Sequence, residues 1–149
     1  MNKLFLFLLF GLVIGLVSAC KDDDDTDNNN NTPSMTAKVG STSFTASSIT
    51  AVATSNVVAI TGTSGTSIIA LGLPLGATGQ QNITLTSAPT TAIYTEGSTV
   101  YTGYTGSINV SSWDTTNKTV KGTFSFSAQI LTTGAEKVIT EGTFTATYI

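Results

Sequence analysis

Few side chains in this sequence could take part in chemistry, and their types limit the reaction classes. The 149 residues contain no histidine, and the single cysteine is Cys20. Without histidine, neither a Cys–His pair nor a Ser–His–Asp triad can form, and zinc lacks its usual ligands. Four carboxylates after residue 34 could in principle pair as in a glycosidase: Glu96, Asp114, Glu136 and Glu141. Their turn-like or polar-face positions favour solvated surface charges instead, so we expect no enzymatic activity, no metal and no cofactor.

The chain opens with a targeting pattern. Lys3 precedes an apolar run over residues 4–17, and Ser18 and Ala19 then lead into Cys20. Fourteen residues in a helix extend about 21 Å, which is short of the ~30 Å hydrocarbon core that a permanent span must cross. The run is therefore predicted to be the apolar region of a signal peptide rather than a membrane anchor.

The end of this run suggests a lipid attachment site. Residues 17–20, Val-Ser-Ala-Cys, resemble the lipobox of bacterial lipoproteins. The resemblance implies that residues 1–19 are removed and that the thiol of Cys20 receives a diacylglyceryl group, which holds the protein at a membrane. A lone free thiol would otherwise be a liability in an oxidising compartment. The alternative is ordinary secretory cleavage after Ala19, with Cys20 present by chance.

An acidic tether follows the cysteine. The surface-export signal of Bacteroidetes-type lipoproteins is similar to the run Lys21, Asp22, Asp23, Asp24 and Asp25. The resemblance implies an outer-membrane lipoprotein exposed on the cell surface, with a periplasm-facing protein as the alternative. The other interpretation of the run is a solvated charge cluster that keeps a linker extended. Residues 20–34 are predicted to be disordered and to hold the domain on the order of 20 Å from the lipid.

Residues 35–149 read as one all-β domain with no net charge. Thr, Ser, Gly, Val and Ile dominate this part, and no window shows the 3.6-residue apolar repeat of a helix. Its four lysines balance its four carboxylates. A neutral domain has no electrostatic footprint for nucleic acid or an anionic membrane, so we expect the lipid on Cys20 to make the membrane contact.

Alternation of apolar and polar residues predicts about ten antiparallel strands, arranged as a single β-sandwich or a closed β-barrel. The clearest strand covers residues 119–131, with Phe124 and Phe126 on its inner face. Residues 35–46 are predicted to form a hairpin with Phe44 inward, and Pro74 to mark an edge or a strand end. Residues 87–98 look least regular. Residues 99–104 and 107–112 are predicted to form a short strand pair around Gly106. A strand over residues 66–75 is predicted in which Ile69, Leu71, Leu73 and Leu75 alternate, and a strand over residues 82–86 carries Ile83 and Leu85.

The whole layout resembles a family of uncharacterised Bacteroidetes-type lipoproteins. The layout joins a lipobox and an acidic tether to a strand domain that closes on Gly-x-Phe-x-Phe-x-Ala and Thr-x-Gly-x-Phe. The matching residues are Gly122, Phe124, Phe126 and Ala128, then Thr140, Gly142 and Phe144. The resemblance covers most of the chain after the signal peptide, and it implies no catalytic residue.

Two binding hypotheses follow from the domain, and a surface protein partner stays open beside them. Four aromatic residues lie within twenty positions, and exposed rings can stack on sugars: Tyr94, Tyr101, Tyr104 and Trp113. Their alternative role is to close one end of a barrel or sandwich. Small inner residues, Ala51, Ala53 and Ala128, would leave room in a barrel for a small apolar ligand, as in a lipocalin.

One surface turn carries a modification pattern. Asp114-Thr115-Thr116 resembles the O-glycosylation site of Bacteroidetes-type secreted proteins, which would place the sugar on Thr115. Taken together, the sequence predicts a lipid-anchored protein of the outer membrane or cell surface. Its β domain is expected to be a non-enzymatic binding or structural module.

Overall fold

A computed structural model describes residues 31–86 and 88–149. This part of the chain is all-β, and no helix within it is long and apolar enough to span a membrane. Ten antiparallel strands run in chain order: β1 Ser34–Val39, β2 Thr42–Thr45, β3 Ser48–Ala53, β4 Val57–Ser64, β5 Ser67–Pro74, β6 Gly79–Thr84, β7 Thr91–Glu96, β8 Thr99–Asp114, β9 Thr119–Gln129 and β10 Glu136–Thr147.

The strands form one strongly curled sheet in the order β2-β1-β10-β9-β8-β7-β5-β4-β3. The sixth strand, β6, pairs with the second half of β8, while β7 pairs with its first half. The curl brings β3 close to the end of the chain, where the Ala53 amide donates to the Ile149 carbonyl over 2.9 Å. The result is a half-barrel. The expected ten antiparallel strands are confirmed, whereas closure into a barrel or stacking into a sandwich is not.

The inner face of the curled sheet holds the hydrophobic core. Phe44 and the alternating residues Phe124, Phe126 and Ala128 are buried there, each with an exposed fraction of 4% or less. A shift of one residue in β9 would move both phenylalanines into water, so burial fixes the register of this strand. The predicted inner face of the clearest strand is therefore confirmed.

The repeated Gly-Thr-Phe sequence has a packing explanation. Gly122 on β9 lies opposite Phe144 on β10, and Gly142 on β10 lies opposite Phe124 on β9. Each strand therefore places a glycine opposite a phenylalanine of the other. A Cβ atom on Gly122 would lie 2.8 Å from the Phe144 ring, and one on Gly142 would lie 2.5 Å from the Phe124 ring. Each glycine therefore leaves the space in which the opposite ring packs.

The structure differs from the predicted strand pattern in two places. Residues 87–98 were expected to be irregular, yet they contain β7, because burial of Ala92 and Tyr94 stabilises a regular strand there. The predicted short pair around Gly106 is wrong, since β8 continues through it as one 16-residue strand. Gly106 has a φ of 136°, and a Cβ there would lie 2.5 Å from the Phe126 backbone. Glycine thus allows β8 to bend over β9 instead of reversing.

Strand ends explain the remaining differences. Leu75 and Leu85 were expected to lie within strands but are 42% and 54% exposed outside them. Each leucine comes directly after the last residue of its strand, so the alternation no longer applies. Pro74 is the last residue of β5, which confirms the predicted strand end.

Candidate functional site

The four candidate aromatic residues do not share one surface. Tyr94 and Tyr101 are buried on the inner face with their ring centres 5.8 Å apart. Trp113 lies twelve residues further along β8, which is about 40 Å of strand. There it packs against Tyr148 at 5.7 Å and donates its indole N–H to the Tyr148 hydroxyl over 3.1 Å. Tyr104 is half-buried between these positions.

A polar cluster at one end of the half-barrel surrounds the two buried tyrosines. Lys137 lies 2.9 Å from Glu96 and 5.8 Å from the ring centre of Tyr101. The Tyr94 hydroxyl lies 3.3 Å from both Glu96 and the Ser67 hydroxyl. Since β10 and β7 are separated by β9 and β8 in the sheet, the ion pair ties together strands that are not neighbours. A pocket of about 130 Å³ adjoins this cluster.

In this polar cluster, Lys137 and Glu96 each stabilise the charged form of the other. The hydrogen bond from Lys137 lowers the pKa of Glu96 below its ordinary value. The same bond raises the pKa of Lys137. A carboxylate with a lowered pKa and a cationic partner is a weak general base. The geometry therefore favours an ion pair that stabilises the fold over acid–base chemistry.

The other candidate carboxylates each have a different partner. Glu136 accepts a hydrogen bond from the Tyr104 hydroxyl over 2.8 Å, and this bond raises the pKa of Tyr104. Asp114 accepts backbone N–H bonds from Thr116 and Asn117, each over 2.9 Å, and the bond from Asn117 contributes most to lowering its pKa. Thr115 is exposed in this turn, as a modification site requires. Cys20, Lys21 and Asp22 to Asp25 lie outside the described residues.

A surface depression lies on the outer face of the sheet, where no site was predicted from the sequence. We call it the outer groove. Its volume is about 510 Å³, and Phe124 and Gly142 line it together with polar residues of β8, β9 and β10: Ser107, Asn109, Thr123, Ser125, Glu141 and Thr143. Cross-strand pairing places Ser107 opposite Ser125, and Thr123 opposite both Asn109 and Thr143. Most of these side chains are short, so the row forms a depression.

Glu141 lies in a bulge of β10 beside the outer groove. The pairing of β10 with β9 shifts between Ile139 and Gly142, and Glu141 has a φ of 51°. A bulge of this kind turns one side chain out of the regular alternation. The Glu141 side chain is 67% exposed and lies 2.9 Å from Lys38 on β1.

One sequence signal could have revealed the bulge. Ile139 and Phe144 are both buried, yet they are five residues apart. An odd spacing puts two residues on opposite faces of a regular strand, so one extra residue must lie between them. Within the described part of the chain, no group of three or more metal-ligating side chains comes together.

Comparison with known proteins gives a family but no activity. A search of the curated proteins and a search of the solved structures each found nothing similar to this chain. A family model matches residues 31–147, which includes all ten strands. The chain therefore belongs to the family described as Domain of unknown function (DUF6252).

Proposed function

We propose that this protein is a lipid-anchored lipoprotein of the outer membrane, displayed on the cell surface, whose β domain is a non-enzymatic binding module. The observation that carries the binding role is the contrast between the two faces of the sheet. The inner face is filled with apolar side chains, while the outer face carries a groove of about 510 Å³ whose lining includes serine, threonine, asparagine and glutamate residues. Ligand binding therefore belongs to the outer face.

The packed inner face weighs against a carrier of small apolar ligands. Eleven large side chains there have less than 2% of their surface exposed. Ala128 is fully buried and Ala51 is 6% exposed, so neighbouring side chains cover these two positions, whereas Ala53 is only partly buried. A carrier needs a cavity of about 300 Å³ or more to enclose its ligand.

The anchoring part of the proposal depends on the sequence before the domain. Cys20 follows a run typical of a lipoprotein signal, and β1 begins at Ser34. The segment between them is polar and acidic, which suits a flexible spacer between lipid and domain. The export-like run Lys21 to Asp25 favours the cell surface over the periplasmic face.

Metabolic labelling with tagged palmitate, combined with protease treatment of intact cells, tests this proposal. The parent chain is expected to be labelled and to be cleaved from outside, whereas Cys20→Ala should lose the label and the membrane fraction. Replacing Asp22 to Asp25 with asparagine is the matched control, because it keeps the lipid site. This variant should stay labelled but become protected from the protease. An unlabelled parent chain that leaves cells freely would refute the anchor.

A further inference from the structure

The outer groove is built as an elongated site. A second depression of about 200 Å³ shares Ser125 with it and continues along β9 to Ser127. From Thr123 to Ser127 the strand rises about 13 Å, which is enough for a ligand of several units. Tyr104 lies beside Ser127 at the far end of this row.

Two bulges lie along this elongated site. Tyr104 is the extra residue where the pairing of β8 with β9 shifts between Gly103 and Thr105. On β10, Thr140 and Glu141 lie opposite Ser125, the residue that the two depressions share. Bulges turn side chains towards ligands and are common next to functional sites. Two strands thus depart from regular pairing along the groove, and one of these bulges contains Glu141, which lines it.

The groove offers hydrogen bonds without net charge. Ser107, Thr123 and Ser125 supply hydroxyl groups, which both donate and accept, and Asn109 supplies an amide. Lys38 balances the charge of Glu141 but bonds only one of its two oxygens. An ionised carboxylate has about four acceptor positions, so Glu141 keeps acceptor positions that Lys38 does not use.

These features select one class of ligand. An anionic polymer would need a cationic excess, and Lys38 is already neutralised by Glu141. An added peptide strand would need a free sheet edge, whereas β9 and β10 are hydrogen-bonded on both sides. A neutral chain with many hydroxyl groups fits both the shape and the lining. We propose that the outer groove binds a neutral polysaccharide and that Glu141 accepts hydrogen bonds from the hydroxyl groups of this ligand. This inference rests on the binding role proposed above.

The backbone of Glu141 provides a sharp test. A positive φ is unfavourable for every residue except glycine, so Glu141→Gly removes the carboxylate while relieving the backbone. Lys118 has the same φ of 51° but lies in the turn before β9, five residues from Thr123. Lys118→Gly is therefore a matched control for the backbone effect.

The experiment measures binding of the purified full chain to dextran, mannan and laminarin by affinity electrophoresis, with heparin as the anionic comparison. At least one neutral polysaccharide is expected to bind the parent and Lys118→Gly within twofold of each other. Glu141→Gly should bind at least tenfold more weakly, which corresponds to about 1.4 kcal/mol, with a melting temperature no lower than that of the parent. Glu141→Gln should also weaken binding, because an amide oxygen accepts less strongly than a carboxylate.

Three outcomes would overturn the inference. If no neutral polysaccharide retards the parent chain, or if heparin retards it more strongly, the ligand class is wrong. If a polysaccharide binds but Glu141→Gly and Glu141→Gln bind equally well, the groove assignment is wrong while the binding role stands. The labelling experiment tests the anchor separately, so a failure there leaves the polysaccharide result intact.

Discussion

Replacing Gly142 with alanine tests the packing of β9 against β10. Glycine in the interior of a strand is normally unfavourable by about 0.5–1 kcal/mol relative to alanine, so the substitution would stabilise an open site. Here the added Cβ would lie 2.5 Å from both the ring and the carbonyl oxygen of Phe124. Phe124 is 3% exposed, and its ring packs against those of Phe126 and Phe144 at 6.2 Å and 6.3 Å between ring centres.

The steric effect should exceed the entropic gain. Overpacking a filled core costs about 1–3 kcal/mol, and a contact with a backbone oxygen cannot be relieved by a rotamer change. After the gain from alanine is subtracted, we expect Gly142→Ala to lower the free energy of unfolding by about 1–2 kcal/mol. For a domain of this size, that is a fall in melting temperature of about 4–8 °C.

Chemical denaturation and thermal melting measure the effect. Gly122→Ala should destabilise in the same direction, because its Cβ would lie 2.8 Å from the Phe144 ring. Thr147→Ala is the control, because Thr147 is exposed in β10, the strand that contains Gly142. This substitution should change the free energy of unfolding by less than about 0.5 kcal/mol. In a Phe124→Leu background, which removes ring atoms near Gly142, the cost of Gly142→Ala should shrink. A Gly142→Ala protein as stable as the parent would refute the packing argument.

Two further predictions concern polar contacts. Because the pKa of Glu96 is lowered in the folded state, its contribution to stability is present above its ordinary value of 4.5 and is lost as pH falls through the lowered pKa. Between about pH 5 and pH 2, the melting temperature should therefore fall less steeply with pH for Glu96→Gln than for the parent. An equal fall in melting temperature for both proteins would contradict a stabilising ion pair between Glu96 and Lys137. Tyr148→Phe removes the acceptor of the Trp113 indole N–H and should cost about 1 kcal/mol. Since Trp113 is the single tryptophan, its fluorescence in denaturant reports this loss, and an unchanged midpoint would show that the bond contributes nothing.

The sequence predicted the fold class and most inward-facing residues because alternation is a local property. Phe44 and Phe126 are buried where their strand positions require it. The path of β8 through Gly106 was not predictable in this way. A glycine between two polar residues fits either a turn or a bend, and only the nearby backbone of Phe126 distinguishes them. That contact joins residues twenty positions apart, which a local pattern does not contain.

The candidate site was harder to predict than the fold, because it depends on departures from alternation rather than on alternation itself. The aromatic cluster stood out by residue type, yet Tyr94 and Tyr101 are buried and Trp113 lies far along β8. The outer groove, by contrast, is lined by serine and threonine, which are common on the solvent face of any strand. What distinguishes it is the turn of Glu141 out of β10 at a positive φ. Glycine would adopt that backbone at lower cost, and the ion pair that the carboxylate makes joins Glu141 to Lys38, 103 positions away, which a local pattern does not contain.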